Sequence, residues 1–246
     1  MSLPVFLSES VTGAAVGESV VLEGEEGRHA ATVMRIRAGE QLVLTDGAGS
    51  SATCTVAEAG KARLTVRIET VTYADRPVPS VTVVQAIPKG DRGELAVEML
   101  TEIDVDRIVP WAASRSVAVW RGERAAKSLA KWRATARAAA KQARRSWLPE
   151  VTDQASTGKV VALLQEADLA VVLHEGARVP LAALPLEGVE RVVVVVGPEG
   201  GLTDEELAAF ADAGGEVVRL GTSVLRTSTA GVVAVSALLA RTLRWS

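Results

Sequence analysis

Three short stretches combine backbone freedom with side chains able to hold a small ligand. Gly197-Pro198-Glu199-Gly200-Gly201-Leu202 follows the apolar run Val192–Val196. His174-Glu175-Gly176 follows Leu169–Leu173, and the segment from Gly221 through Arg226, Thr227 and Ser228 to Thr229 follows Val217–Leu220. Glycines adopt backbone conformations that other residues resist and let a ligand approach the main chain. The carboxylates, imidazole and guanidinium among them suit proton transfer or the stabilisation of developing charge. Each stretch alone has a plainer reading. A glycine-rich turn is often only a tight connection, and a strand-end histidine is usually ordinary. Glu199 can cap backbone amides of its own loop, and Arg226 can serve a structural ion pair. The first stretch is not the G-x-G-x-x-G of a dinucleotide fold, and no Gly-Lys-Ser/Thr follows it as in a P-loop. It leads into Thr203-Asp204-Glu205-Glu206, where Thr203 and Glu206 form a capping box.

The elements that position these loops follow from the pattern around them. Val81–Ile87, Arg107–Trp111, Leu169–Leu173, Val192–Val196 and Val217–Leu220 are apolar runs of the type buried on both faces of a parallel sheet. Val117–Trp120 reads as a further strand. Helical spacing covers Glu94–Ile103 and Arg124–Arg145, and a small-residue apolar helix runs from about Ala230 to Leu243, suited to core or to a subunit interface. Alternation of such strands with helices predicts an α/β domain over residues 81–246, and ligands bind at the carboxyl ends of the strands in such sheets.

Residues 1–72 read differently. Ser19–Leu22, Gln41–Thr45, Ala52–Val56 and Arg63–Ile68 alternate apolar and polar between glycines, and Asp46-Gly47-Ala48-Gly49 is a hairpin signal. A small β-barrel is expected here. Within it Glu25–Arg37 reads as a short helix with Ala30, Val33, Met34 and Ile36 partly buried. Residues 73–80, with Pro77 and Pro79, form a linker.

Composition narrows the function classes. The one cysteine, Cys54, excludes an internal disulfide framework, reads as a buried strand residue and fits a reducing cytoplasm. No Cys/His cluster suggests a metal site, no basic-then-apolar leader marks a signal peptide, and no apolar run approaches the ~20 residues that span a bilayer. Total charge is −3, yet Trp111–Pro149 holds ten Lys and Arg against one acid, a net +9, leaving −12 for the remainder. At 100° per residue Ala125, Leu129, Trp132, Ala136, Ala139, Ala140 and Ala143 share one face of the long helix, and every Lys and Arg falls on the other. A wholly basic face on an acidic protein points to a polyanion. Trp132 belongs to the core; Trp120 and Trp147 suit either packing or stacking on a base.

Taken in order, Pro88-Lys89-Gly90-Asp91-Arg92, Leu173-His174-Glu175, Gly197–Leu202 and Leu220–Ala230 resemble the RsmE family, the 16S ribosomal RNA uracil-N3 methyltransferases of the SPOUT (α/β-knot) superfamily. Further stretches along the chain, including His29–Arg37 and Ala139–Pro149, fit that resemblance. It implies a deep trefoil knot in the C-terminal domain, a PUA-like N-terminal barrel and a homodimer. It also implies S-adenosylmethionine held by Leu173, His174, Glu175, Gly197, Glu199, Gly200, Gly201, Leu220, Gly221, Val224, Leu225 and Thr227, without a metal. On this reading Glu199 is the candidate base and Arg226 holds a substrate phosphate or stabilises the uracil anion. RNA phosphates would meet Arg35, Arg37, Lys89, Arg92, Arg124, Lys127, Lys131, Arg137, Lys141, Arg144 and Arg145 of this cytoplasmic enzyme, with the small ribosomal subunit as partner. The chain departs from the family pattern at Ser228, where an acid is usual, and at Pro4-Val5-Phe6, where an Arg is usual. Three other readings compete: an RNA-binding factor without turnover, a knotted enzyme acting on a ribose hydroxyl or guanine, and a nucleotide-dependent oxidoreductase, which the missing fingerprint disfavours.

Overall fold

Two periodicities divide the chain, and the computed structural model, which describes residues 3–245, shows two compact units. The first runs to Arg76 and takes in Ala140–Leu148; the second comprises Pro77–Ala139 and the chain from Pro149 onward.

The first unit is a five-stranded sheet of β1 (Val5–Leu7), β2 (Ser19–Leu22), β3 (Gln41–Thr45), β4 (Ser50–Ala59) and β5 (Leu64–Tyr73), in the order β1-β3-β4-β5-β2. All pairs are antiparallel except β1 with β3. Alternation buries one face: Leu42, Leu44, Ala52, Cys54, Val56, Leu64, Val66 and Ile68 close on Phe6 and Val11. The β3–β4 hairpin is held by Asp46, whose Oδ1 accepts from the N–H groups of Ala48 (2.7 Å) and Ser50 (3.0 Å). Gly49 sits at φ +102°, and an added Cβ there would lie 2.7 Å from the Trp147 ring and 2.9 Å from the Ala74 carbonyl, so only glycine fits the turn.

Helix α1 (Gly24–Arg28) passes directly into a π-turn over His29–Val33, where the Met34 N–H donates to the His29 carbonyl at 3.0 Å. This corrects the expectation for the segment. Ala30 and Ile36 are buried, but Val33 and Met34 are 67% and 50% exposed. A π-turn is wider than an α-turn, so residues after His29 rotate off the face that α-periodicity assigns them.

The second unit holds β6 (Ser80–Ala86), α2 (Arg92–Glu102), β7 (Arg107–Trp111), α3 (Glu123–Gln142, whose last residues belong to the first unit) and β8 (Glu150–Val151). It continues with α4 (Thr157–Gln165), β9 (Leu169–Leu173), β10 (Val179–Pro180), β11 (Arg191–Val196), α5 (Asp204–Asp212), β12 (Glu216–Arg219) and α6 (Thr227–Leu239). The seven strands are all parallel, ordered β10-β12-β9-β11-β6-β7-β8. Continuous apolar strands arise because both faces are covered. Val83, Val171, Val192, Val194 and Val196 pack with Leu100 of α2, Trp132 of α3 and Leu238 of α6. Val84, Val172, Val193 and Val195 pack with Val160 of α4 and Phe210 of α5. Helix α6 approaches the sheet closely at Gly231, where an added Cβ would meet Val196 Cγ2 at 3.1 Å, Leu100 Cδ2 at 3.4 Å and Val83 Cγ1 at 3.5 Å.

Residues 117–120 are loop, with Val117 and Val119 exposed, so the strand expected there is absent. The place beside β7 is taken by β8. No helix among the described residues is long and apolar enough to cross a membrane.

Candidate ligand-binding site

Strands β12, β9 and β11 are neighbours, and all three run the same way. Their carboxyl ends therefore release the three singled-out loops side by side. The loops enclose a cavity of about 360 Å³. Leu173, His174 and Glu175 line it from β9; Gly197, Pro198, Glu199, Gly201 and Leu202 from β11; and Leu220, Gly221, Val224, Leu225, Arg226 and Thr227 from β12 and the start of α6. This volume falls in the range of roughly 300–1,000 Å³ common to cofactor pockets.

The loop after β11 is shaped by its own sequence. Gly201, at φ +71°, donates its N–H to the Pro198 carbonyl at 2.9 Å, closing a tight turn. The capping box then starts α5: the Glu206 N–H donates to Thr203 Oγ1 at 3.1 Å, and the Thr203 N–H donates to Glu206 Oε2 at 3.0 Å. Glu199 is exposed at the cavity, and its Oε1 accepts the Lys89 backbone N–H at 3.2 Å. The amide it engages thus lies in the loop after β6, not in its own. His174 Nδ1 accepts from the Gly176 N–H at 3.1 Å, which leaves Nε2 as the position for the ring proton.

At the start of α6, Arg226 caps the helix with its carbonyl, which accepts from Thr229 (2.8 Å) and Ala230 (2.9 Å), while its exposed side chain faces the cavity. Gln85 of β6 donates through Nε2 to the Thr227 carbonyl at 3.3 Å, tying the loop end to the sheet. Ser228 is buried and does not line the cavity.

Of the residues expected from sequence to hold the cofactor or to act in catalysis, Gly200 alone does not line the cavity. Its α-carbon faces Arg115, and an added Cβ would lie 3.0 Å from Arg115 Cβ. Arg92, expected as an RNA contact, does line the cavity, as does Arg219, which sequence reasoning passed over although it ends a strand directly before Leu220. Among the described residues, no group of three or more His, Cys, Asp or Glu is placed to hold a metal ion.

The basic residues fall into two groups. Arg124, Lys127, Lys131 and Arg137 of α3 are exposed, with Lys131 Nζ 3.1 Å from Glu94 Oε1. In the first unit Arg35, Arg37 and Arg144 are exposed, but Lys141 is bound to Glu26 at 2.7 Å with little exposure of either side chain, and Arg145 is only 8% exposed. Their positions fit structure better than contact with a ligand: α3 ends at Gln142, so helical periodicity does not carry Arg145 to the outer face.

The chain matches the family model of an RNA methyltransferase domain over residues 74–239 and that of an RNA methyltransferase PUA domain over residues 22–69. Ribosomal RNA small subunit methyltransferase E of Mycobacterium bovis is 46% identical over 233 residues, covering 93% of this chain and 89% of that protein. Among solved structures, the Legionella pneumophila protein Lpg2936, in complex with bound SAM, superimposes with a TM-score of 0.87 at 29% identity, covering 98% of both chains. Ribosomal RNA small subunit methyltransferase E of Neisseria gonorrhoeae, bound to S-adenosyl methionine, gives 0.85 at 28% identity, covering 97% of this chain and 98% of that one.

Proposed function

The chain belongs to the family of ribosomal RNA small subunit methyltransferase E, and from this premise we propose that it methylates N3 of a uridine in 16S ribosomal RNA with S-adenosylmethionine as donor. The observation that carries the reading is the meeting of three strand-end loops at one cavity.

The residues present fit that cofactor. Leu173, Leu220 and Leu225 offer apolar surface for a flat base, and Glu175 and Glu199 supply negative charge for a cation. At Gly197 an added Cβ would lie 3.2 Å from Leu202 Cδ2, so glycine keeps the wall thin where a ligand meets the main chain. When bound, the cofactor supplies a methyl group already activated by its sulfonium charge. What remains for the protein is mainly to align an attacking nitrogen, which is catalysis by positioning. Glu199 accepts the N3 proton as the nitrogen attacks. Arg226, at the same cavity, steadies the uracil anion or an adjoining phosphate. The target base leaves its stack to reach them.

Lys89, Arg92, Arg124, Lys127, Lys131 and Arg137 of the second unit hold RNA phosphates, and Arg35, Arg37 and Arg144 of the first contribute to the same end. Lys141 and Arg145 support the fold instead. The proposed working form is a homodimer acting in the cytoplasm on the small ribosomal subunit; the exposed Leu243, Trp245 and Val233 near the end of the chain are suited to subunit contact. The same proposal includes the trefoil knot.

Methyl transfer to small subunits from a strain lacking this gene, followed by mass spectrometry of the nucleosides, tests the reading. Label in 3-methyluridine supports it; label in a 2′-O-methyl or guanine product overturns the assigned position.

A further inference from the structure

The loop after β11 has two sides. Pro198, Glu199, Gly201 and Leu202 face the cavity, while Gly200 faces away, against the segment that joins β7 to α3. That segment makes three polar contacts with the back of the loop and the helix it starts. Arg115 Nη1 donates to the Leu202 carbonyl at 3.1 Å and to the Gly200 carbonyl at 3.4 Å. The Ser114 N–H donates to Glu206 Oε1 at 2.8 Å. Glu206 is 3% exposed and uses both oxygens, one on Ser114 and the other on the Thr203 N–H of its own capping box. The segment is itself anchored, since the Ala112 N–H donates to the Ala155 carbonyl at 3.1 Å.

The geometry points to Arg115 as a positioning residue for the cofactor: with Glu206 it forms a strap that holds the glycine loop from behind in its binding shape. This rests on the proposal that the cavity takes S-adenosylmethionine. A loop with glycines at 197, 200 and 201 has more conformational freedom to lose on binding than most. Its backbone carbonyls are fixed from outside the cavity by a charged donor with several N–H groups, so part of that freedom is already removed before the ligand arrives. Gly200 is required for the same reason. A side chain there would press on Arg115, whose carbonyl oxygen would lie 3.1 Å from the new Cβ.

The competing role for an exposed arginine beside a basic helix is contact with RNA phosphate. Calorimetric titration of wild-type, Arg115→Ala and Arg115→Lys proteins with S-adenosylmethionine alone, together with steady-state kinetics and thermal unfolding, separates the two. The strap predicts a cofactor Kd raised roughly tenfold in Arg115→Ala, a matching rise in the cofactor KM and an unchanged RNA KM. Arg115→Lys, which keeps one charged donor, recovers part of the loss. Unchanged cofactor affinity in Arg115→Ala with a raised RNA KM overturns the strap. A lowered melting temperature without a change in cofactor affinity at 20 °C overturns it too, because the contact is then merely structural. Wild-type protein that does not bind the cofactor overturns the cofactor assignment, and the strap's role with it.

Discussion

Arg244 reaches back over 138 positions of sequence to Asp106, its Nη1 lying 2.6 Å from Oδ2. The same guanidinium engages Asp104 through Oδ2 at 2.7 Å and through its carbonyl, and donates to the Pro79 carbonyl at 2.6 Å. Asp106 Oδ2 also accepts the Val81 N–H at 2.7 Å. One arginine near the end of the chain thus ties together the start of β6 and the turn before β7.

Burial alone would lower the pKa of Arg244, but the hydrogen bonds and charges of Asp106 and then Asp104 reverse this and raise it. The side chain is 2% exposed. Arg244→Ala leaves two carboxylates without this partner and is expected to cost about 3 kcal/mol, seen as a melting temperature lower by roughly 6–12 °C. A shift under 2 °C would show the cluster to be energetically idle.

Glu199→Gln keeps shape and removes the proposed base. Turnover should fall at least about 100-fold while the cofactor still binds, because the amide retains an acceptor for the Lys89 N–H. Arg226→Ala should act in the same direction through the substrate. Near-normal turnover in Glu199→Gln would return Glu199 to a structural role.

The exposed Arg124, Lys127 and Arg137 of α3 and the half-buried Lys141 of the same helix should part company. Charge reversal at Arg124, Lys127 and Arg137 is expected to abolish RNA binding and leave melting and cofactor affinity unchanged. Single neutral substitutions should each flatten the salt dependence of RNA affinity by about 0.7–0.9 in log–log slope. Lys141→Glu, placed against Glu26, should instead destabilise the first unit. Filter binding and thermal unfolding of the two sets decide this.

Burial pushes the Cys54 thiol up to about 11. A raised folded-state pKa means the neutral thiol contributes stability in full below the unfolded value near 8.5, and that contribution is lost as pH rises through about 11. Between pH 7 and 8 the native protein should not react with a disulfide reagent, whereas denatured protein should react with one equivalent. Prompt labelling of native protein would contradict the burial.

Much of this was legible in sequence where periodicity and environment agree. Val192–Val196 reads as a doubly covered strand because each side chain is apolar whichever face it takes, and Trp132, Ala136, Ala139 and Ala140 lie buried on the apolar stripe of α3. The three loops were legible because strands of one direction release their loops at one edge. Local pattern failed where geometry was irregular or partners were distant. Val33 and Met34 were misplaced by a π-turn, and Val117–Trp120 is apolar like a strand yet lies in a loop without strand pairing. Arg115 and Ser114 reach Leu202 and Glu206 from 87 and 92 residues away, beyond any spacing rule.

The atoms nearest to a side chain added at Gly231 belong to Val83, Leu100 and Val196, yet the residue lies five positions along α6 from Arg226. Residues of one helix move together, and the two are about 7.5 Å apart along its axis. A methyl group added at 231 would lift the helix by tenths of an ångström and carry Arg226 and Thr227 with it. A genetic selection for lost activity would therefore recover Gly231 beside the cavity residues, and its phenotype would be corrected by trimming Leu100, which lies outside the cavity lining, rather than by a change in the three loops.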